Sequence, residues 1–335
     1  MIVLVNGLGN IGTTVANLLL DYKVDFGIDE VWAYKRKIQP WQSIELNLLE
    51  AKGIKVCSDD VSYPNPEDVL PKVNYIFECA ANGVGLLNKD RYDKLPNLIG
   101  ASAQGSEKGF GVSFMSGLNN ELIKNEKFVH VVSCNMHGSA AIMRLFGGDL
   151  LQNLESADMV VVRRSEDIGN HQRMVSGNVV SRHLDEVAGT HHSIDVNDMF
   201  KSIGVDANCT ASDITTPSQF LHSVRFNLKL KSPLKDSVID LIDNSPLVSR
   251  TSKFDSNVVF EMGRRYGYNG RIFSHAIVLD GNLLITQNEI KGWAFVPQEG
   301  NTIISTIHAF LLQIGHEKEK QLINKLLQNL VLNQW

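Results

Sequence analysis

The sequence predicts an α/β protein: an N-terminal doubly wound parallel sheet, then an α+β domain with a mixed or antiparallel sheet. Three observations carry this expectation. Short apolar runs alternate with helical patterns from Met1 to Cys134. A glycine-rich turn follows the first of those runs directly. Beyond Cys134 the strand patterns lengthen, and one of them alternates cleanly between apolar and polar residues.

Met1 to Val5 is a continuous apolar run and reads as a buried strand, and Gly12 to Leu20 places Val15, Leu18 and Leu19 at helical spacing. Val31-Trp32-Ala33-Tyr34, Asn74 to Cys79 and Phe128 to Val132 read as further strands of a βαβ series. After Cys134 a helix carries Ile142, Leu145 and Phe146 on one face. Strands are then expected over Asp158 to Arg164, Leu221 to Lys231, Ile272 to Leu279 and Leu283 to Gln287. In the second of these, Val224, Phe226, Leu228 and Leu230 alternate with Arg225, Asn227, Lys229 and Lys231, the pattern of a half-buried strand. Asp280-Gly281 between two apolar runs signals a hairpin. Thr302 to Leu332 reads as helix. The expected domains are 1–134, completed by a C-terminal helix over 303–335, and 135–302.

Composition narrows the class. The chain has 335 residues, 43% hydrophobic and 21% charged, with a net charge of −5, as in an ordinary globular protein and not a general nucleic-acid binder. No window approaches the roughly 18 consecutive apolar residues of a membrane span, and the N-terminus lacks the basic region of a signal peptide. Cys57, Cys79, Cys134 and Cys209 are scattered, which fits a reducing, cytoplasmic setting. The ten histidines show no zinc-ligand spacing, and His191-His192, adjacent on an expected strand, would point apart. No metal is expected.

Gly7-Leu8-Gly9-Asn10-Ile11-Gly12 fits G-x-G-x-x-G between a strand and a helix. Gly7 makes the turn, Gly9 lets backbone approach a pyrophosphate, and Gly12 allows close helix–strand contact, as in a Rossmann dinucleotide site. The second strand ends in Tyr34-Lys35-Arg36-Lys37. Cations stand where a carboxylate would bind a ribose 2′-hydroxyl, so Lys35 and Arg36 predict NADP in preference to NAD.

Ser133-Cys134-Asn135 lies between the last strand of this half and a helix, which puts the Cys134 thiol at a helix N-terminus. That location favours a thiolate, the nucleophile that an aldehyde carbonyl needs. The competing reading is a buried structural cysteine. His222 shares strand parity with Val224 and Phe226, so it points inward; taken alone, that describes a core histidine. Arg163, Arg164 and His191-His192 supply positive or donor character for a phosphorylated substrate.

These motifs, in their order, resemble the archaeal-type glyceraldehyde-3-phosphate dehydrogenases. The likeness includes Val5 to Gly12, Ala81-Asn82-Gly83-Val84-Gly85, Gln104-Gly105-Ser106-Glu107-Lys108 and Val131 to Asn135. It continues through Val162-Arg163-Arg164, His191-His192 with Asp195-Val196, Pro217 to His222 and Gln298-Glu299. The resemblance implies Cys134 as nucleophile and His222 as base. It implies cofactor contacts at Asn10, Ile11, Ser106, Arg164 and Gln298, and substrate contacts at Ser133, Asn135, His192 and Ser193. It further implies a homotetramer that oxidises a phosphorylated aldehyde with NAD or NADP and passes the acyl group to phosphate.

The chain departs from that pattern. Met136-His137 replace two threonines after S-C-N, Pro297 stands where a histidine precedes the Q-E pair, and R-R-A-A-D reads Arg163-Arg164-Ser165-Glu166-Asp167. The lost hydroxyls each remove a hydrogen bond worth about 0.5–1.5 kcal/mol, and a protonated His137 would replace part of that by charge. An NADPH-dependent acyl-CoA reductase that turns malonyl-CoA or succinyl-CoA into a semialdehyde is therefore the alternative enzyme. A dinucleotide or redox sensor working through Cys134 is the non-enzymatic one.

Overall fold

The computed structural model describes residues 1–105, 107–166, 175–218 and 220–335. They form two compact units, Met1–Ser133 with Ile303–Lys325, and Cys134–Thr302 with Leu326–Trp335. Ser106, an expected cofactor contact, and Asp167 lie outside the described residues.

The first unit begins with β1 (Ile2–Asn6), α1 (Asn10–Asp21), β2 (Glu30–Tyr34), α2 (Ser43–Ala51) and β3 (Lys55–Cys57). It continues through α3 (Pro66–Val69), β4 (Tyr75–Glu78), α4 (Val84–Asp93), β5 (Gly100–Gln104), β6 (Val112–Phe114) and β7 (Phe128–Val131). The seven strands pair in parallel in the order β3-β2-β1-β4-β5-β7-β6. The expected doubly wound sheet is present. Its strand order reverses between β1 and β4, and in such sheets the carboxyl ends at the reversal form a crevice.

The second unit contains α5 (Cys134–Gly147), β8 (Leu154–Arg164), β9 (Val179–Val180), α6 (His191–Lys201), β10 (Cys209–Thr216) and β11 (His222–Leu230). α7 (Val238–Asp243), β12 (Val248–Thr251), α8 (Ser256–Tyr266), β13 (Ala276–Leu279), β14 (Leu284–Ile285) and β15 (Glu289–Val296) follow. Their sheet runs β12-β13-β15-β11-β8-β10-β9, with β14 on β15. It is mixed: β10 is parallel to β8 and β12 to β13, while β11 is antiparallel to both neighbours. α5 lies across this sheet and is buried on nearly every side from Asn135 to Gly147. It approaches closely because Gly138 has no side chain; a Cβ there would stand 2.8 Å from the Val296 side chain.

The last helices are α9 (Ile303–Gln313) and α10 (Glu319–Leu330), so the C-terminal stretch is two helices and not one. Gly315 breaks it at a φ of 65°, with the Gly315 and His316 amides donating to the Leu312 and Leu311 carbonyls. That closure needs a left-handed residue, which glycine adopts without steric cost. In the first unit Phe310 of α9 packs its ring 4.8 Å from Tyr75 and 5.3 Å from Phe77 of β4.

A further expectation fails. Asp280-Gly281 is no hairpin: Asp280–Asn282 form a short 3-10 turn, β13 pairs with β12 and β15, and β14 pairs with β15. Residues 272–275, expected as strand, lie outside β13, and β14 has only two residues. The turn chemistry is locally correct, but the two flanking strands each pair with β15 instead of with one another.

Candidate active site

In the first unit a cavity of about 630 Å³ opens at the carboxyl ends of β1 and β4, lined by Asn6, Gly7, Leu8 and Gly9 on one side and Cys79, Ala80 and Ala81 on the other. The glycines fit a dinucleotide for different reasons. Gly7 has a φ of 98°, and a Cβ there would meet Ala80 backbone at 2.8 Å. A Cβ on Gly12 would lie 1.8 Å from the Gly7 carbonyl oxygen, so that position is closed to any side chain. A Cβ on Gly9 would meet nothing within 4 Å, which leaves backbone exposed to open space. Gly9 is also the N-cap of α1 and has no side chain to cap it, and no acidic residue occupies the first turn. An uncapped helix start beside open space is a site for an anionic group.

The neighbouring helix start differs. Glu107 accepts from the amides of Gly83 and Leu86 (3.0 Å), so its carboxylate closes the N-terminus of α4. Beneath the cavity, the buried Glu78 carboxylate accepts from Asn6 (2.6 Å), Tyr92 (2.7 Å) and Asn88 (3.1 Å). This network fixes the end of β4, and the sequence reading did not find it.

Tyr34, Lys35, Arg36 and Lys37 all line the cavity. Lys35 donates to the Leu8 carbonyl at 3.1 Å, and burial pulls its pKa below the ordinary lysine value. It therefore ties the glycine turn to β2, and Arg36 and Lys37 are the other cations on the cavity wall.

In the second unit Cys134 is the first residue of α5. The four cysteines carry thiols and no disulfide; Cys134 is partly exposed, whereas Cys57 and Cys209 are buried. Burial raises the thiols of Cys57 and Cys209 to about 12, which makes them poor nucleophiles. Asn301, fully buried, donates through Nδ2 to the carbonyls of Cys134 (2.9 Å) and His275 (3.1 Å) and so anchors the start of α5. No sequence signal marked Asn301.

His222 opens β11, 8% exposed, with Nδ1 accepting from the Arg164 backbone amide at 3.0 Å. An amide N–H only donates, so a neutral ring must carry its proton on Nε2. Burial first, then the charges of Arg164, Arg163 and His192, hold its pKa well below the ordinary histidine value. The side chain of Gln298 brackets the same segment, accepting from the His222 amide at 3.4 Å and donating to the Phe220 carbonyl at 3.1 Å. Gln298, expected at the cofactor, is thus held against the strand that carries His222.

The antiparallel register of β8 and β11 brings Arg164 to His222, and the parallel register of β8 and β10 brings Arg163 beside Thr215. Arg163 reaches Asp213 Oδ2 at 3.2 Å. Arg164 is 4% exposed and pairs with Glu299 at 3.3 Å, and Glu299 pairs with Arg271 at 3.1 Å. α6 is pinned to β10 by the Thr190 amide, which donates to the Ala211 carbonyl (2.9 Å), and by Gly189, where a Cβ would stand 2.3 Å from that carbonyl oxygen.

His191 and His192 therefore lie on the first turn of a helix and not on a strand, with ring centroids 3.9 Å apart. His192 Nε2 is 3.4 Å from Asp213 Oδ2, within ion-pair range but without hydrogen-bond geometry. Burial works against ionisation of Asp213; His192, Ser181 and Arg163 outweigh it and keep the carboxyl well below its ordinary range. Ser193 donates to the carbonyls of Ala188 (2.7 Å) and Thr190 (2.9 Å), which makes it part of the turn that shapes this corner. Asn135 Oδ1 and Thr190 Oγ1 are buried without a hydrogen-bond partner among the described residues. Asp213 was missed in the sequence, although its inward parity with Cys209 and Ala211 in β10 was readable. Met136 and His137 are fully buried, and His137 packs edge-on to His275 at 4.8 Å, so His137 presents no exposed charge in place of a threonine hydroxyl.

No family model matches the chain. The resemblance read from its motifs is borne out along its length by proteins named glyceraldehyde-3-phosphate dehydrogenase. One from Saccharolobus islandicus is 25% identical over 328 residues, covering 92% of this chain and 91% of that protein. One from Methanoregula boonei is 27% identical over 332 residues (92% and 90%), and one from Sulfurisphaera tokodaii is 26% identical over 331 residues (93% and 92%). Among the described residues no helix is long and apolar enough to cross a membrane.

Proposed function

We propose that the chain is an NAD(P)-dependent aldehyde oxidoreductase working through a thioester on Cys134, with glyceraldehyde 3-phosphate as substrate and inorganic phosphate as acyl acceptor. The observation that carries the reading is the partly exposed Cys134 thiol at the start of a buried 14-residue helix, in a unit that also presents His222, Arg163 and His192. The names and coverage of the relatives support the same chemistry.

The helix start favours the Cys134 thiolate. Its sulfur adds to the aldehyde carbon and the carbonyl electrons move to oxygen, giving a thiohemiacetal alkoxide. When bound, the nicotinamide cofactor supplies the hydride acceptor, and loss of hydride from that carbon leaves the Cys134 thioester. A phosphate oxygen then attacks the acyl carbon and expels the thiolate, which restores Cys134. His222 with its proton on Nε2 stabilises the alkoxide as a donor; acting as the base on a neutral thiohemiacetal requires the Arg164 amide contact to open. Arg163, His191, His192 and Ser193, at the uncapped start of α6, are the groups for the substrate phosphate. Gly7, Gly9, Asn10, Ile11 and Gly12 hold the cofactor pyrophosphate, and Arg36 with Lys35 favours the 2′-phosphate of NADP.

The burial of Met136 and His137 favours one second reading, in which the acceptor is coenzyme A and the enzyme reduces an acyl-CoA. The test is an absorbance assay of cofactor reduction with NADP and glyceraldehyde 3-phosphate, with and without phosphate, beside NADPH oxidation with malonyl-CoA or succinyl-CoA. Phosphate-dependent reduction supports the first reading. Silence there with oxidation by an acyl-CoA replaces it with the second.

A further inference from the structure

We infer that His191, His192 and Asp213 form a binding site for a divalent transition-metal ion of the zinc class. One ligand atom from each lies within 4.8 Å of the others. Two imidazole nitrogens and one carboxylate oxygen are a donor set suited to zinc, and three protein ligands leave a fourth position for water.

A second observation points to a ligand. His192 is 4% exposed, and among the described residues neither of its ring nitrogens has a hydrogen-bond partner, Nε2 coming no nearer to Asp213 Oδ2 than 3.4 Å. A neutral imidazole carries one N–H and one lone pair, so this buried ring leaves both unanswered. Asp213 is 1% exposed, and among the described residues its Oδ1 is likewise unanswered while Oδ2 meets Arg163 at 3.2 Å. An ion seated between the lone pair of His192 and Oδ1 of Asp213 would satisfy both without displacing the Arg163 contact on Oδ2.

His191 completes the set from the more accessible side. Zinc–ligand bonds of about 2.0–2.1 Å require the three atoms to draw together from their present spread. His191 has the freedom to do that, because it stands at the first position of α6. Adjacent histidines diverge on a strand and show no zinc spacing there; on the first turn of a helix their ring centroids come to 3.9 Å.

The site shares His191 and His192 with the corner proposed for the substrate phosphate. Metal binding stands on the geometry alone, whereas its effect on turnover rests on the functional reading above. An ion held there would occupy the substrate corner and inhibit in competition with the aldehyde.

The experiment uses chelator-stripped full-length protein carrying Cys134→Ser, so that the thiol cannot bind metal, titrated with Zn²⁺ by calorimetry and with Co²⁺ by visible absorption. The expected result is one ion per chain and a Co²⁺ spectrum without thiolate charge-transfer bands. His191→Gln, at the accessible ligand, should weaken Zn²⁺ by at least about tenfold, and Asp213→Asn by more. His183→Gln alters a neighbouring histidine that contacts Ser212 instead, and should leave affinity unchanged. No binding, or binding that both His191→Gln and Asp213→Asn leave intact, overturns the site. In the wild-type enzyme, Zn²⁺ inhibition competitive with glyceraldehyde 3-phosphate supports the shared corner. If Zn²⁺ binds the Cys134→Ser protein but does not compete with the aldehyde in wild type, the metal site stands and the substrate assignment of these histidines falls.

Discussion

The cofactor pocket of the first unit and the thiol site of the second are built by opposite means. The pocket is mostly backbone: a turn over Gly7 to Gly12, an uncapped helix start, and the carboxyl ends of two adjacent parallel strands. The candidate thiol site is mostly side chains, carried by α5, β8, α6, β10 and β11, with the strands set by registers between segments far apart in sequence. A backbone site tolerates side-chain changes that leave its space open. A side-chain site fails when one group is removed.

The difference is sharpest for the nucleophile. Cys134→Ser should lower turnover by more than about 10³-fold while cofactor affinity stays within about threefold, read by steady-state kinetics and fluorescence titration. Turnover close to wild type in that variant would sink the mechanism. His222→Asn comes next, with a loss in kcat of about 10²–10⁴-fold and little change in cofactor affinity. A purely structural role for His222 would instead appear as lost folding stability at unchanged kcat.

The pocket is challenged by filling it. Gly9→Val adds a side chain where a Cβ meets nothing within 4 Å, so the fold should survive. Cofactor affinity should fall by about tenfold or more, because the branch occupies the pyrophosphate's space. Alkylation of Cys134 by iodoacetamide should keep its rate, and a loss of both would show that the two sites are not separable in this way. A smaller effect is expected at Arg36. Arg36→Ala should weaken NADP by about tenfold and NAD hardly at all, since one charge-assisted hydrogen bond is worth about 1.5–3 kcal/mol. Equal losses for both cofactors would reject the specificity argument. Lys35→Ala should cost both cofactors, because that residue also holds the Leu8 carbonyl.

The smallest effect concerns stability against pH. Burial holds His222 and His275 well below the ordinary histidine pKa, so the folded chain keeps both rings neutral. Below about pH 6.5 the unfolded chain takes up protons that the folded chain refuses, and stability falls with acidification by about 1.4 kcal/mol per pH unit for each ring. The contribution is complete above that pH and declines toward the folded-state pKa. Replacing His275 with Leu should remove one proton's worth of this slope in denaturation midpoints between pH 6.5 and 5. An unchanged slope would mean that His275 is protonated in the folded state.

The same contrast explains what the sequence made legible. Gly7 to Gly12 and Cys134 announce themselves because each combines a local motif with a strand–helix junction, and both junctions are where periodicity placed them. Asp213 and Asn301 are not local. Asp213 meets Arg163 only through the parallel register of β8 and β10, and Asn301 reaches Cys134 across 167 residues of chain. Asp280-Gly281 shows the converse error, since a sound turn signal was overridden when the two flanking strands each paired with β15 instead of with one another. His137 was read by its charge, but α5 is buried around nearly its whole circumference, so a histidine one turn from Cys134 belongs to the interior.

The central claim is a covalent acyl group on Cys134, and a single turnover without acceptor tests it most directly. Protein mixed with NADP and glyceraldehyde 3-phosphate in the absence of phosphate would be quenched in acid and its peptides weighed. The account predicts a burst of about one reduced cofactor per chain together with an acyl mass on the peptide containing Cys134. Cofactor reduction with no adduct on that peptide, or reduction that persists after complete alkylation of Cys134, would contradict it.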